Sequence, residues 1–129
     1  GWTFASQGYA HLDASRVSLK QLKADTGRWK KEVESLIGPT RVYIYPYGSR
    51  VLPGDPKFEM LVDAGFTILS AVGSQAYEKM APNALMQDRR HIDGIGLIQQ
   101  RDRFLDLFDS YKIIDYDVRP RKYWKDIKG

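Results

Sequence analysis

Apolar and polar residues follow one another in blocks whose period changes along the chain, and these blocks predict alternating strands and helices. Residues 2–5 and 41–45 are rich in aromatic and β-branched side chains, which is typical of strands. Residues 66–72 are apolar enough to predict a strand that is covered on both faces. A short strand is predicted at residues 89–92 and a last strand at residues 112–116.

The clearest helical signal lies between the first two predicted strands. Ser18 is a suitable N-cap, and Gln21, three residues later, completes a capping box. Gly38 and Pro39 predict the end of this helix, because glycine adopts the left-handed stop and proline cannot continue a helix. Spacings of three and four residues predict one buried face, made of Leu19, Leu22, Thr26, Trp29, Val33 and Leu36.

A second helix is predicted after Asp55, its N-cap, with Pro56 in the first helical position and Gly65 at its end. Its predicted buried face consists of Phe58, Leu61 and Val62. Residues 73–88 show no clear period and are predicted to form a long loop with a helical turn. A third helix is predicted over residues 97–108, with Leu97, Phe104, Leu105 and Phe108 facing inward.

Strands that alternate with helices predict an α/β fold with right-handed βαβ units and mainly parallel strands. In such folds the chemistry lies at the carboxyl ends of the strands. Two polar loops of this chain follow predicted strands, at residues 6–11 and 46–49. These two loops are therefore the candidate functional segments. Asp13 is expected to serve a turn close behind the first of them.

Composition narrows the function classes without choosing one. The 129 residues, 43% hydrophobic and 28% charged, fit one compact domain or part of a larger one. The chain has no cysteine, which excludes disulfides, thiolate metal sites and cysteine nucleophiles. The net charge of +4 permits an anionic partner without requiring one. No apolar run approaches the ~20 residues of a membrane span, and the compartment stays open.

The last residues combine basic and aromatic side chains, from Arg119 to Lys125. Such a segment is able to stack on bases or sugar rings. We expect instead that Tyr123 and Trp124 pack on the body of the protein while the cations stay solvated. No nucleic-acid partner is therefore expected.

The two candidate loops resemble signatures of the NodB-type polysaccharide deacetylases. Residues 1–11, which read GWTFASQGYAH, are similar to the second signature, in which Ser-His ends a strand and a second His follows after three residues. Residues 43–48, which read YIYPYG, resemble the third signature. Positions in the intervening helix and beyond also fit this family: Leu22, Asp25, Glu32, Val33, Asp63, Ala64, Gly65 and Phe66.

This resemblance implies a fold and a domain organisation. The family fold is a distorted, TIM-barrel-like (β/α) barrel of about seven strands. Residues 1–129 are then expected to form a single polysaccharide-deacetylase-like domain that lacks its N-terminal strands. An open parallel edge invites pairing with another chain, so a homo-oligomer formed through that edge is expected.

The resemblance also implies metal ligands. His11 matches the second metal-binding His, and Gln7 occupies the position of the first. The metal-binding Asp and the base Asp of the family would precede Gly1. Because an amide oxygen is a poor ligand beside an imidazole, we expect Zn²⁺ or a similar divalent metal to bind this chain weakly or not at all.

Tyr47 matches the residue whose backbone N–H stabilises the oxyanion and whose ring lines the substrate groove. Tyr47, and His11 as the matched metal ligand, are therefore the candidate catalytic residues. Pro46 and Gly48 shape the turn, and Tyr9 is a further candidate for substrate binding. The Arg that often precedes this turn in the family is absent, since Ile44 stands in its place.

The implied activity is hydrolysis of acetyl groups from N-acetylated glycans by a metal-activated water, a reaction that this chain alone is expected to perform poorly or not at all. The alternative is a non-catalytic relative that binds carbohydrate through Tyr47, Tyr9 and Trp124.

Overall fold

The computed structural model describes residues 1–73 and 78–109. The chain divides into two compact units, Gly1–Arg90 and His91–Gly129. The predicted strand at residues 112–116 and the basic aromatic tail lie outside the described residues.

The first unit is built on a four-stranded sheet, which confirms the mixed α/β class. Its strands are β1 (Val42–Ile44), β2 (Ile68–Val72), β3 (Glu78–Ala81) and β4 (Ala84–Arg89). They are ordered β1-β2-β4-β3, with β1, β2 and β4 parallel and β3 antiparallel to β4. The described sheet is thus open and mostly parallel, and association through its edge stays a prediction.

The predicted strand at residues 2–5 is wrong. Ser6 alone forms a parallel bridge to Tyr43 of β1, with its N–H donating to the Val42 carbonyl at 2.8 Å. The residues before it pair with no strand in the described part of the chain, and Trp2 is 93% exposed. The Phe4 carbonyl accepts a hydrogen bond from the Thr40 hydroxyl instead of from a backbone amide.

The first helix begins where the capping box predicts. In α1 (Leu19–Trp29), the N-cap Ser18 hydroxyl accepts from the Gln21 N–H, and the Gln21 side chain accepts from the Ser18 N–H. The helix then widens into a π-helical segment (Lys30–Glu34) and ends in a short α2 (Ser35–Ile37) before Gly38.

The π-helical segment changes which side chains face the core. Leu22, Thr26 and Trp29 are buried as predicted. The prediction is wrong for Leu19, the exposed first residue of α1, and for Leu36, which follows the π-helical segment and is 83% exposed. A π-helical segment adds a residue to the turn and so rotates the residues after it. The partly buried residues that pack on the core at this end are Val33 and Ile37.

The second predicted helix is confirmed as α3 (Pro56–Asp63). Its N-cap carboxylate, Asp55, accepts from the Lys57 N–H at 2.8 Å, and Pro56 takes the first helical position. Phe58 and Leu61 are buried, while Val62 is partly buried against the core.

The prediction of a loop at residues 73–88 is wrong, because β3 and most of β4 lie there as an antiparallel hairpin. Pro82 and Asn83 connect the two strands, and Asn83 has a φ of 64°. Proline followed by a left-handed asparagine suits a tight turn. The predicted strand at residues 89–92 is also wrong, since Arg89 is the last residue of β4.

The core of the first unit lies between one face of the sheet and the helices α1 and α3. Leu69 and Ala71 of β2 are buried on the face that meets this core. On the opposite face Ser70 is buried, but Ile68 is partly exposed and Val72 is 43% exposed, so the prediction of a strand covered on both faces holds only at its centre. Aromatic rings fill the centre, with Tyr43 lying 5.3 Å from both Tyr45 and Phe66 between ring centroids. Burial raises the pKa of the Tyr43 and Tyr45 hydroxyls.

The second unit is described over residues 91–109 and contains α4 (Gly94–Gln99) and a 3₁₀ turn (Arg101–Phe104). A single helix over residues 97–108 is therefore a wrong prediction. Phe104 is buried as predicted, but Leu105 is exposed. The Phe104 and Phe108 rings stack 6.1 Å apart.

No helix within the described ranges has the length and apolar character needed to cross a membrane.

Candidate functional site

The first candidate loop follows Ser6 at the carboxyl end of the sheet and is held by a buried carboxylate. Asp25 of α1 accepts hydrogen bonds from the Tyr9 N–H at 2.8 Å and the Ala10 N–H at 2.7 Å. Gly8 has a φ of 74°, and a Cβ there would lie 2.7 Å from the Asp25 Oδ2. One helix residue therefore sets the path of this loop. Sequence reasoning placed Asp25 only by family likeness, although its position among Leu22, Thr26 and Trp29 on the buried helix face was a signal.

The Tyr9 side chain lies against α1. The Arg28 guanidinium carbon lies 4.0 Å from the centroid of the Tyr9 ring, and Arg28 forms an ion pair with Glu32 at 2.9 Å. Hydrogen bonding to Glu32 raises the pKa of the Tyr9 hydroxyl, and the same bond lowers the pKa of the Glu32 carboxyl. Tyr9 thus attaches the loop to the helix, and its predicted part in substrate binding stays a prediction.

The second candidate loop begins as the 3₁₀ turn Pro46–Gly48, directly after β1. Pro46 is buried, whereas the Tyr47 side chain is 72% exposed. Tyr47 has a φ of 58°, a left-handed conformation that costs a non-glycine residue about 1–2 kcal/mol. Gly48 follows with a φ of 71°, and a Cβ there would lie 2.8 Å from the Val72 Cβ of β2.

The two loops meet through the rings of His11 and Tyr47. Their ring centroids lie 4.8 Å apart, at an interplanar angle of 69°. His11 also has a left-handed backbone, with a φ of 54°. In the described part of the chain three non-glycine residues have a positive φ, and two of them are this ring pair. We call this exposed pair the His11–Tyr47 corner.

A polar contact between Asp13 and Ser49 joins the same two loops. The Ser49 hydroxyl lies 3.3 Å from the Asp13 Oδ2, and the other Asp13 oxygen accepts from the N–H and the hydroxyl of Ser15. The Ser15 hydroxyl bond is the main cause that lowers the pKa of the Asp13 carboxyl. The turn role predicted for Asp13 is thereby confirmed.

Lys57 of α3 secures the segment behind this contact. Its ammonium group donates to the carbonyls of Ala14 at 2.7 Å, Ser15 at 3.2 Å and Val17 at 3.3 Å. Three backbone acceptors therefore anchor the segment between His11 and α1 to a second helix.

Within residues 1–73 and 78–109, no group of three or more His, Cys, Asp or Glu side chains is arranged to hold a metal ion. The carboxylates nearest in sequence to His11 are already engaged, Asp13 with Ser15 and Asp25 with loop amides. Gln7 is exposed and forms no hydrogen bond with the described residues. These residues alone do not fit a metal site, and the ligand roles of Gln7 and His11 stay predictions.

A groove on the surface lies between α1 and α3. This groove of about 700 Å³ is lined mainly by apolar atoms and includes Thr26, Gly27, Met60 and Ala64. None of the residues predicted to carry function lines it. We therefore place the candidate site at the His11–Tyr47 corner, where two strained backbones converge, and not in this groove.

Comparisons of this chain with models of protein families, with curated proteins and with solved structures found no match. The features of this chain that bear on function are accordingly the geometry of the corner and the resemblance of its two loops to the deacetylase signatures.

Proposed function

We propose that this chain is a polysaccharide-deacetylase-like protein that binds N-acetylated glycans at the His11–Tyr47 corner. The observation that carries the proposal is the convergence of two left-handed loop residues into one exposed ring pair, 4.8 Å between centroids. Left-handed non-glycine residues persist where the surroundings over-determine them, and they cluster at ligand sites. A barrel closed by further strands is part of the same proposal.

The chemistry of the corner suits a sugar. An exposed tyrosine offers an apolar ring face to the C–H groups of a pyranose and a hydroxyl to its polar rim. The imidazole of His11 has one donor and one acceptor nitrogen when neutral, which matches hydroxyl and acetamide groups. The buried Pro46 fixes where the Tyr47 ring leaves the protein surface.

Turnover is the second part of the proposal and depends on a metal. In the resembled family a divalent metal activates the water that attacks the acetyl group. The described residues alone do not fit such a metal. We propose that this chain alone hydrolyses acetyl groups weakly or not at all. A purely binding relative is the alternative, favoured by Gln7 in place of an imidazole.

Glycan binding is tested by titrating the protein with an N-acetylglucosamine tetramer and, separately, with the matching glucosamine tetramer. We expect Tyr47→Ala to weaken binding of the acetylated tetramer about three- to tenfold, the loss of roughly 1 kcal/mol of ring contact. Trp2→Ala is the matched control, since Trp2 is an exposed aromatic residue that precedes the bridge at Ser6. Absence of binding by the wild type, or an equal loss in both variants, contradicts the proposal.

Turnover is tested by measuring acetate release from the acetylated tetramer with added Zn²⁺, for the wild type and for Gln7→His. Release that appears or rises in Gln7→His supports the metal-dependent family reaction. If glycan binds but neither protein releases acetate, the non-catalytic alternative is favoured.

A further inference from the structure

The turn that carries Tyr47 is attached to the sheet by an ion pair that crosses the end of β2. Arg50 follows the turn after β1, and its guanidinium lies 2.6 Å from the Asp88 Oδ2 on β4. Because β2 lies between β1 and β4, this contact passes over the carboxyl end of β2. Gly73, the residue after β2, has no side chain there, and a Cβ would overlap the Asp88 carboxylate.

The acidic partner of this pair is the more deeply buried one. The Asp88 side chain is 5% exposed and the Arg50 side chain 28%. The Asp88 Oδ1 is buried without a hydrogen-bond partner among the described residues. A buried carboxylate without its cation is an uncompensated charge in the protein interior. Removing one partner of this pair therefore costs more stability than removing one partner of an exposed pair.

Two backbone hydrogen bonds close the turn that contains Tyr47, from the Gly48 N–H to the Tyr45 carbonyl at 3.1 Å and from the Ser49 N–H to the Pro46 carbonyl at 3.3 Å. Contacts outside the turn are needed to fix its exit. Glycine at position 48 allows close packing on Val72, but it leaves the backbone after Tyr47 free to choose other conformations. Arg50 lies three residues beyond Tyr47 and fixes the exit of the turn, while Pro46 is buried at its entry. The strained residue is therefore held from both sides.

We propose that the Arg50–Asp88 ion pair is a positioning device that holds the Tyr47 ring against His11 in the geometry that binds the sugar. The part that concerns sugar rests on the proposed function. The part that concerns the ring pair does not, and it is measurable in the free protein.

The test uses the ring of His11 as a probe. A tyrosine ring 4.8 Å away shifts the imidazole proton resonances of His11, and Tyr47→Ala defines the value without this ring. The chain has two histidines, so His91→Gln identifies the His11 signals. We expect Asp88→Asn to move these signals toward their Tyr47→Ala values and to weaken binding of the N-acetylglucosamine tetramer about tenfold.

Two further variants control the experiment. Glu34→Gln removes the Lys30–Glu34 pair of the π-helical segment, at 3.0 Å, whose cation is about as exposed as Arg50. It is expected to leave the His11 signals and glycan binding unchanged. Arg50→Lys keeps the charge but loses the planar guanidinium, and is expected to fall between the wild type and Arg50→Gln. It decides the question if Asp88→Asn fails to fold.

The positioning role is overturned if Asp88→Asn leaves the His11 signals as unchanged as Glu34→Gln does. If Asp88→Asn fails to fold, the same result for both Arg50→Lys and Arg50→Gln overturns it. If the wild type binds no glycan but the His11 signals move as expected, the proposed function fails and the positioning role stands.

Discussion

The loop of residues 7–11 and the turn Pro46–Gly48 end at the same ring pair, but different contacts hold them in place. The backbone of the first loop is fixed mainly by one buried carboxylate, Asp25, through two amides, and the Tyr9 side chain adds a contact with Arg28 on the same helix. The turn is fixed by three separate contacts, which are the packing of Gly48 on Val72, the Ser49–Asp13 hydrogen bond and the Arg50–Asp88 pair. We therefore expect the loss of Asp25 to destabilise the first loop strongly, whereas the loss of any one contact removes only part of what holds the turn.

The largest effect is expected at Asp25. In Asp25→Ala the Tyr9 and Ala10 amides lose a charged acceptor, and such bonds contribute roughly 1.5–3 kcal/mol each. We expect the free energy of unfolding to fall by about 3 kcal/mol in urea denaturation. Asp63→Ala is the control, an exposed acidic residue at the end of α3, expected to change stability by less than about 0.5 kcal/mol. Similar losses of unfolding free energy in the two variants would show that Asp25 is not the main support of the first loop.

A smaller effect is expected at Gly48, and Gly54 is its matched control. Both have a positive φ, 71° and 93°, so alanine at either costs about 1 kcal/mol of backbone strain. Only at Gly48 would the new Cβ meet a neighbour, the Val72 side chain, whereas nothing lies within 4 Å at Gly54. We expect Gly48→Ala to lower the unfolding free energy by about 2 kcal/mol and Gly54→Ala by about 1 kcal/mol. Adding Val72→Gly to Gly48→Ala tests the collision, because glycine at position 72 removes the Cβ that the new methyl group would meet. The collision is disproved if Gly48→Ala costs as much in the Val72→Gly background as it does alone.

The smallest effect is expected at the contact between the loops, and it depends on pH. The folded-state pKa of Asp13 lies below its usual value of ~3.9. Its stabilising contribution is therefore complete above that value and is lost as the pH falls through the folded-state pKa. We expect Asp13→Asn to flatten the decline of the urea midpoint between neutral and acidic pH, with Ser49→Ala giving a weaker change in the same direction. Because the Ser15 hydroxyl is the main cause of the lowered pKa of Asp13, the Ser49→Ala change is the one that reports the contact between the loops. A decline as steep in Ser49→Ala as in the wild type would show that this contact contributes nothing.

Local signals were predictable from the sequence where neighbouring residues alone determine the structure. The capping box of Ser18 and Gln21 and the Asp55-Pro56 start of α3 are complete within four residues, so α1 and α3 begin where expected. The exposed Leu36 was not predictable from helical spacing, because the π-helical segment Lys30–Glu34 changes the spacing itself.

The hairpin β3–β4 was missed for a different reason. The strands read EKMA and ALMQDR, two charged residues followed by two apolar ones and three apolar residues followed by three polar ones, so neither shows the alternation that predicts a strand. The signal that was available is the Pro82-Asn83 dipeptide, which favours a tight turn.

The site was partly predictable. The order of the two signatures along the chain places His11 and Tyr47 at strand ends, and the structure brings their rings together. The contacts that hold them there join residues distant in sequence, with Asp25 reaching back to residues 9 and 10 and Arg50 reaching forward to Asp88. Sequence spacing carries no information on such pairs.

The strand order β1-β2-β4-β3 has a consequence for how the sheet assembles. A hairpin closed by two residues forms within about 1–10 μs, because little chain entropy is lost in closing so short a loop. The parallel pairing of β1 with β2 has to span α3, a much longer connection, and is intrinsically slower. The free edge of β4 in the completed hairpin is the edge that pairs with β2. The topology thus favours a late docking of a preformed hairpin, the event that also brings Asp88 to Arg50.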